Sequence, residues 1–392
     1  MGLMLLLMAG CGESKKSEAS PGVQTGFWPT STFEQEGLRE EPIDTLLAEI
    51  KKGTYGYVDE LLLLKNGQLV LHQTFNNDYT QISQGFSGDL GCGYKSCADS
   101  TAYGDFNYYH PYWHPYYHNR KVHTLQSITK SVSSLLIGIA IDQGHIESTR
   151  VKLTDYLEDY DLSNTGEYFQ LATLEDLLTM RLGMEWYEIG APMDNNTTGA
   201  LEASSDWIQF TLDQPMDTLP GTTWVYNSGA SQLMSVILKK ATGYPLDAYA
   251  REFLFGPLGI EDFYWKSTPK GYRDALGGLY LKAEDLAKIG YLVLNRGTWE
   301  GKQLVSREWI ERSTTRISDS TQVENTGYGY QWWRQDSGDT PVWSGMGFGG
   351  QSLLIFPELQ MVGVVYSWNI FDQEVPDIRL SMVTPLIEAH NR

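Results

Sequence analysis

Ser127 and Lys130 stand three positions apart in Gln126-Ser127-Ile128-Thr129-Lys130. Side chains at that spacing share one face of a helix, so the amine can reach the hydroxyl. A serine hydroxyl is a poor nucleophile until a base removes its proton, and a neutral lysine can serve as that base. Neutrality is demanding: bringing a lysine from about 10.4 to near 7 takes roughly 4–5 kcal/mol of differential stabilisation. Burial and a positive field both push in that direction, and the N-terminal end of a helix supplies such a field. A second S-x-x-K occurs at Ser267-Thr268-Pro269-Lys270. Pro269 interrupts any helix there, so those side chains would not share a face. The competing role for Ser127 is a plain helix cap.

Two further segments carry groups that such a pair would need. Trp224-Val225-Tyr226-Asn227-Ser228-Gly229 immediately precedes a predicted helix. A phenol beside a lysine can pass a proton to a leaving group, although an isolated tyrosine is more often structural. Trp343-Ser344-Gly345-Met346-Gly347-Phe348-Gly349-Gly350-Gln351 leads into a predicted strand at 351–356. Glycines let backbone approach a substrate closely. A backbone N–H in this segment, paired with that of Ser127, would form an oxyanion hole, and such a donor is typically worth about 3 kcal/mol. A phosphate-binding loop is the poorer reading, because the lysine and the following helix it requires are missing.

The elements that must position these groups follow from periodicity. Residues 58–64 and 69–71 flank Asn66-Gly67 and predict a hairpin. Ile128, Val132, Leu135, Leu136 and Ile139 recur at helical spacing and Gly144 follows, which predicts a helix from Ser127 to Asp142. Further helices are expected at 173–181, 204–212, 230–242, 246–254, 283–295 and 306–313. Strands 351–356 and 361–366, joined by a turn at Pro357-Glu358, form a second hairpin, and a last helix is expected over 374–390. Strands from both ends of the sequence with helices between them predict an α+β fold. In it an antiparallel sheet is flanked by helices and interrupted by a mostly helical lobe at about 125–265, with the site in the cleft between lobes.

The ordered set S-x-x-K, Tyr226-Asn227-Ser228 and a Gly-rich strand resembles the serine β-lactamase and penicillin-binding superfamily. The flanks of these motifs are similar to its class C-related branch: His123-Thr124-Leu125-Gln126-Ser127-Ile128-Thr129-Lys130-Ser131, Leu174 to Gly183, and Gly277-Gly278-Leu279-Tyr280. Tyr328-Gly329-Tyr330-Gln331-Trp332-Trp333 and Gly349-Gly350-Gln351 resemble 6-aminohexanoate-dimer hydrolases and related esterases. The resemblance implies that Ser127 attacks, Lys130 takes its proton and Tyr226 protonates the leaving group. It also implies an oxyanion hole of the Ser127 N–H and one from the Gly345-Met346-Gly347-Phe348 segment, with Met346 or Phe348 as the donor. Two departures stand out. Ser228 replaces the usual asparagine, and Trp343 takes the place of the superfamily's strand lysine, so a cationic anchor for a substrate carboxylate is missing. Esterase or amidase work on a small ester, amide or short peptide-like substrate is therefore expected over β-lactam hydrolysis. A D-alanyl peptidase or penicillin-binding role, and a non-catalytic wall-binding module, are the alternatives.

Composition sets the remaining bounds. The 392 residues are 41 % apolar and 20 % charged, as expected of a globular chain. A formal net charge of −20 disfavours nucleic acid as a partner. Met8-Ala9-Gly10-Cys11 resembles a lipoprotein lipobox after a short apolar run. This leads to expectations of a signal peptide at 1–10, a lipid on Cys11, a flexible tether at 11–35 and a hydrolase domain at 36–392, held at the bacterial envelope by the lipid anchor alone. In an exported chain, Cys92 and Cys97 are expected to pair as a disulfide. His110, His114 and His118 are spaced like metal ligands on a helix, but Pro111 and Pro115 forbid that helix. No metal and no cofactor are expected.

Overall fold

The computed structural model describes residues 26–84, 115–116, 120–190, 195–319, 321–370 and 375–390. Cys11, Cys92, Cys97, His110, His114 and His118 lie outside them, as do the expected signal peptide and most of the tether. In chain order the elements are α1 Glu41–Lys51, β1 Val58–Lys65, β2 Gln68–Thr74, α2 Tyr79–Gln84, β3 His123–Thr124 and α3 Ile128–Asp142. Then come α4 Leu174–Leu178, α5 Thr197–Glu202, α6 Trp207–Leu212, α7 Ser228–Thr242, α8 Leu246–Ala250, β4 Tyr264–Trp265, β5 Leu279–Leu281 and α9 Ala283–Leu294. The last part holds β6 Thr298–Trp299, β7 Lys302–Gln303, α10 Arg307–Thr314, β8 Thr326–Tyr328, β9 Trp333–Ser337, β10 Thr340–Gly347, β11 Gln351–Phe356, β12 Met361–Ser367, α11 Ile378–Ser381 and α12 Val383–His390.

The fold is α+β, built on a seven-stranded antiparallel sheet in the order β2-β1-β12-β11-β10-β9-β8. The first hairpin closes where predicted, with Asn66 and Gly67 both at positive φ (53° and 76°). That is the backbone a two-residue hairpin turn requires. One sheet face carries Leu61, Leu63, Leu354, Phe356 and Val365 against α1 and α12. The other carries Leu62, Leu64, Leu353, Ile355 and Val364 against α3 and α9. The alternation along β1 and β11 is thus complete, with both faces buried.

Several expected boundaries move. The helix expected at 173–181 is only Leu174–Leu178, because Met180 turns left-handed at φ 58°. The last helix is broken into α11 and α12. Trp343 to Gly347, read as a Gly-rich strand, is the second half of β10, and the turn into β11 lies at Phe348-Gly349-Gly350. Strands β8 and β9 and helix α1 were not anticipated. In β9 the polar run Arg334-Gln335-Asp336-Ser337 follows a single tryptophan, so its period-2 signal is weak.

A polar contact ties the sheet to β3, the strand that leads into Ser127. Asp59 of β1 accepts from Tyr79 Oη (2.6 Å) and faces His123 Nε2 of β3 (3.2 Å). His123 stacks flat on Tyr366 of β12, with ring centroids 4.4 Å apart.

Candidate active site

Strand β3 leads into Ser127. His123 and Thr124 pair with Leu281 and Tyr280 of β5, and the Leu125 N–H donates to the Leu279 carbonyl at 2.9 Å. Gln126 then adopts φ 48°, a left-handed conformation that a non-glycine residue rarely takes. Such strain is characteristic of functional turns. Its side chain is held by a hydrogen bond to Thr124 Oγ1 at 3.1 Å. The reversal throws Ser127 to the N-terminal end of α3. There its hydroxyl makes no capping hydrogen bond, so the plain-cap role does not describe it. Instead Ser127 Oγ accepts from Lys130 Nζ at 2.8 Å.

Helix α3 was expected to be amphipathic, but Ile128 to Ala140 are buried all round. A helix buried on every side must satisfy its polar side chains internally. Three of its four hydroxyls do so by gripping neighbouring segments, and only Ser134 Oγ has no hydrogen-bond partner. Ser131 Oγ donates to the Gln331 carbonyl (2.7 Å), and Thr129 Oγ1 accepts from the Leu279 N–H (3.1 Å). Lys130 is 1 % exposed. Besides Ser127, its Nζ donates to the Leu276 carbonyl at 2.8 Å and lies 5.1 Å from the centre of the Tyr226 ring.

Tyr226 arrives from the segment before α7. Asn227 caps that helix by accepting from the Ala230 N–H at 2.7 Å. Ser228 is its first residue, and both its N–H (3.0 Å) and its Oγ (2.6 Å) donate to Glu188. Trp186 Nε1 donates to the same carboxylate at 3.0 Å. The Tyr226 ring stacks on Trp333 (5.7 Å, 21°) and meets Tyr328 edge-on (6.4 Å, 86°). Trp224, Met180 and Met346 complete this buried cluster. Burial, then the neighbouring Tyr226 and Glu188, hold the Tyr328 phenol well above its ordinary value, so it stays neutral.

Strand β10 runs alongside. A Cβ on Gly345 would stand 3.0 Å from Ile128 Cγ2, and one on Gly347 only 2.4 Å from the Leu125 carbonyl oxygen. Both glycines therefore press the strand against the Ser127 turn. Strand β9 pairs with β10 only as far as Ser344, which leaves the Gly345–Gly347 edge without a β9 neighbour. Met346 packs into the Tyr226 cluster, whereas Phe348 is 41 % exposed on the turn beyond.

The structure thus brings Ser127, Lys130, Tyr226, Gly345, Met346 and Gly347 together, with Ser228 behind Tyr226. Trp343 is not among them. Its ring lies under the Arg296 guanidinium (4.8 Å), lining a depression with Glu311, Arg334 and Pro341. Glu188 and Gln331 were missed by sequence reasoning. Gln331 joins three elements: Nε2 donates to the Leu177 and Leu178 carbonyls, Oε1 accepts from Ser231 and its own carbonyl accepts from Ser131. Its only local signal was its place in the aromatic run 328–333. Among the described residues no group of three His, Cys, Asp or Glu side chains is placed to hold a metal.

Comparison with known proteins places this geometry. The Beta-lactamase family model matches residues 62–380. A 6-aminohexanoate-dimer hydrolase of Paenarthrobacter ureafaciens is 25 % identical over 267 residues, which cover 63 % of this chain and 66 % of that relative, just under two thirds of its length. Two solved structures share the fold. A Bacillus anthracis protein provisionally named 6-aminohexanoate-dimer hydrolase has a TM-score of 0.68 at 20 % identity, covering 93 % of this chain and 87 % of its own. The penicillin-binding protein of Bacillus halodurans has a TM-score of 0.58 at 16 % identity, covering 87 % and 99 %. With more than half its length matched by the family model, the chain belongs to the beta-lactamase family of serine-hydrolase-like proteins.

Proposed function

We propose that the protein is a hydrolase of ester or amide bonds that works through a covalent acyl group on Ser127. The observation that carries this reading is the 2.8 Å contact between Lys130 Nζ and Ser127 Oγ, with the amine 1 % exposed. The contact is already at proton-transfer distance. In the proposed cycle Lys130 takes the Ser127 proton as Oγ attacks the substrate carbonyl. The tetrahedral oxyanion is held by the Ser127 N–H and by the Met346 N–H on the unpaired β10 edge. The Lys130 proton passes by way of the Tyr226 phenol to the departing alcohol or amine. Water then attacks the acyl-serine, its proton going to the same pair, and releases the acid and Ser127.

The carboxylate of Glu188 beside Ser228 weighs against an anionic substrate group close to Tyr226. This favours an esterase or amidase over a D-alanyl peptidase or penicillin-binding role, since those need an anchor for a carboxylate. The names of the relatives are consistent with a hydrolase. The lipobox-like Met8–Cys11 supports the further proposal that the enzyme is anchored at the bacterial envelope by a lipid on Cys11.

The test is direct. Ser127→Ala is expected to abolish both turnover of a p-nitrophenyl ester and labelling by a fluorophosphonate probe. Labelling that persists in this variant places the nucleophile elsewhere. Stable labelling of the native protein by fluorescent penicillin would favour the penicillin-binding alternative.

A further inference from the structure

Beneath Lys130 lies a second buried charged set that the Ser127–Lys130 chemistry does not itself use. Asp274 and Lys266 are both fully buried, on either side of the connection between β4 and β5. Asp274 Oδ1 accepts from the Leu276 N–H (3.0 Å) and the Gly277 N–H (2.8 Å). The Leu276 carbonyl is the acceptor for Lys130 Nζ. Backbone bonds lock the two residues together: Asp274 N to the Lys266 carbonyl (3.0 Å) and Lys266 N to the Gly278 carbonyl (2.9 Å). Trp265 Nε1 donates to the Asp274 carbonyl at 2.8 Å. Gly278 is required here, because a Cβ would stand 2.6 Å from that of Asp274. Burial holds the Asp274 carboxyl above its usual range, against the downward pull of the Lys266 ammonium, the two N–H groups and the Lys130 amine. Both lysines therefore act on one carboxylate.

This geometry does two things for the amine. A neutral amine has two N–H bonds and one lone pair. An N–H committed to the Leu276 carbonyl fixes its rotation and leaves the lone pair for the Ser127 proton. Electrically, a carboxylate at Asp274 and an ammonium at Lys266 act on the Lys130 amine with opposite signs. We propose that Asp274 and Lys266 form a buried pair that positions Lys130 through the Leu276 carbonyl and sets the pH at which its amine becomes available as a base. This rests on the reading of Lys130 as the base for Ser127. Both are positioning residues, since neither touches Ser127.

The experiment measures the rate of fluorophosphonate labelling against pH. Lys266→Met leaves the Asp274 carboxylate free to favour a proton on Lys130, so the acid limb is expected to move to higher pH by on the order of one unit. Asp274→Asn can still accept both N–H bonds but lacks the charge, so the Lys266 ammonium faces Lys130 uncompensated and the limb is expected to move lower. The double variant is expected to return it close to the native position. Unmoved limbs, or shifts of the same sign in both single variants, overturn the inference. Should Asp274→Asn fail to show a native melting transition, Lys266→Met and Lys266→Gln decide the matter through the upward shift alone. Lys130→Ala separates the two readings. Labelling that persists without the amine removes the base assignment itself. Labelling lost there, together with unmoved limbs in the other variants, removes only the Asp274–Lys266 inference.

Discussion

Tyr226 is fixed from every side: Trp333 stacks on its ring, Tyr328 meets it edge-on and Lys130 Nζ lies 5.1 Å from its centre. If its phenol supplies the leaving-group proton, the loss on Tyr226→Phe must depend on how much the leaving group needs one. An amine must be protonated to depart, whereas p-nitrophenolate leaves as the anion. Tyr226→Phe is therefore expected to lower kcat/KM for an amide by about 10²–10⁴-fold and for a p-nitrophenyl ester by far less. Equal losses on both substrates would mean the ring matters only for packing. Glu188 supports Tyr226 from behind. Glu188→Ala strands two donors of the first turn of α7 and removes a negative charge from its N-terminal end. A loss of about 1–2 kcal/mol is expected in urea denaturation. Ser127, Lys130 and Tyr226 were legible because helical spacing is a short-range property, and Tyr226 stands beside its own helix start. Glu188, Asp274 and Gln331 were not. Glu188 meets its partner Ser228 across 40 positions and Gln331 meets Ser131 across 200, distances at which periodicity says nothing. The Trp343 assignment failed for a related reason. Pairing motifs by order does not show which part of a strand reaches the site.

At the level of elements, the decisive contact is β10 against the turn carrying Ser127. Gly347 has no room for a side chain: an added Cβ meets Leu125 O at 2.4 Å, Gln351 Cβ at 2.9 Å and Gln126 Cβ at 3.0 Å. Gly347→Ala is expected to destabilise by about 1–3 kcal/mol. It should also lower ester turnover beyond what the fraction unfolded explains, because the strand edge moves away from the substrate carbonyl. A variant with native melting and native kcat would refute this close-packing account. The two hairpins were legible from their turn residues and apolar runs. Strands β8 and β9 were not, since their pairing is imposed by β10 rather than by their own composition. The long buried helix α3 was found by its apolar spacing, but its serines read as a polar face. Ser131 and Ser133 hold the Gln331 and Ala275 carbonyls, whereas Ser134 Oγ is buried without a hydrogen-bond partner.

For the whole molecule, acid sensitivity can be argued from named pairs. Burial pushes the Asp336 carboxyl up, but hydrogen bonds from Arg334 (2.6 Å) and Arg316 (3.0 Å) outweigh it and hold the group below its usual range. A carboxyl lowered on folding contributes stability above its unfolded value of about 3.9 and loses it as the pH falls through and below that point. The group is about a third exposed, so the contribution is at most about 1 kcal/mol. The urea midpoint is expected to fall between about pH 5 and pH 3, and Asp336→Asn to flatten that fall in proportion. An unchanged slope in the variant would show that this pair is solvent-screened to nothing.

One consequence of the strand order concerns how the chain reaches this state. Val58 to Lys65 finds a partner in Met361 to Ser367, about three quarters of the chain length away, and β12 in turn abuts β11 and the helix α9. Until a ribosome has delivered Met361 to Ser367, β1 and β2 have no neighbour on their inner edge, and the sheet on which α3 and α9 pack is incomplete. Closure of such distant segments is slow compared with local helix formation. Nascent chains halted shortly before Met361 should consequently remain protease-sensitive and unable to react with a serine-directed probe. The nucleophile, though made in the first third of synthesis, becomes competent only at its end.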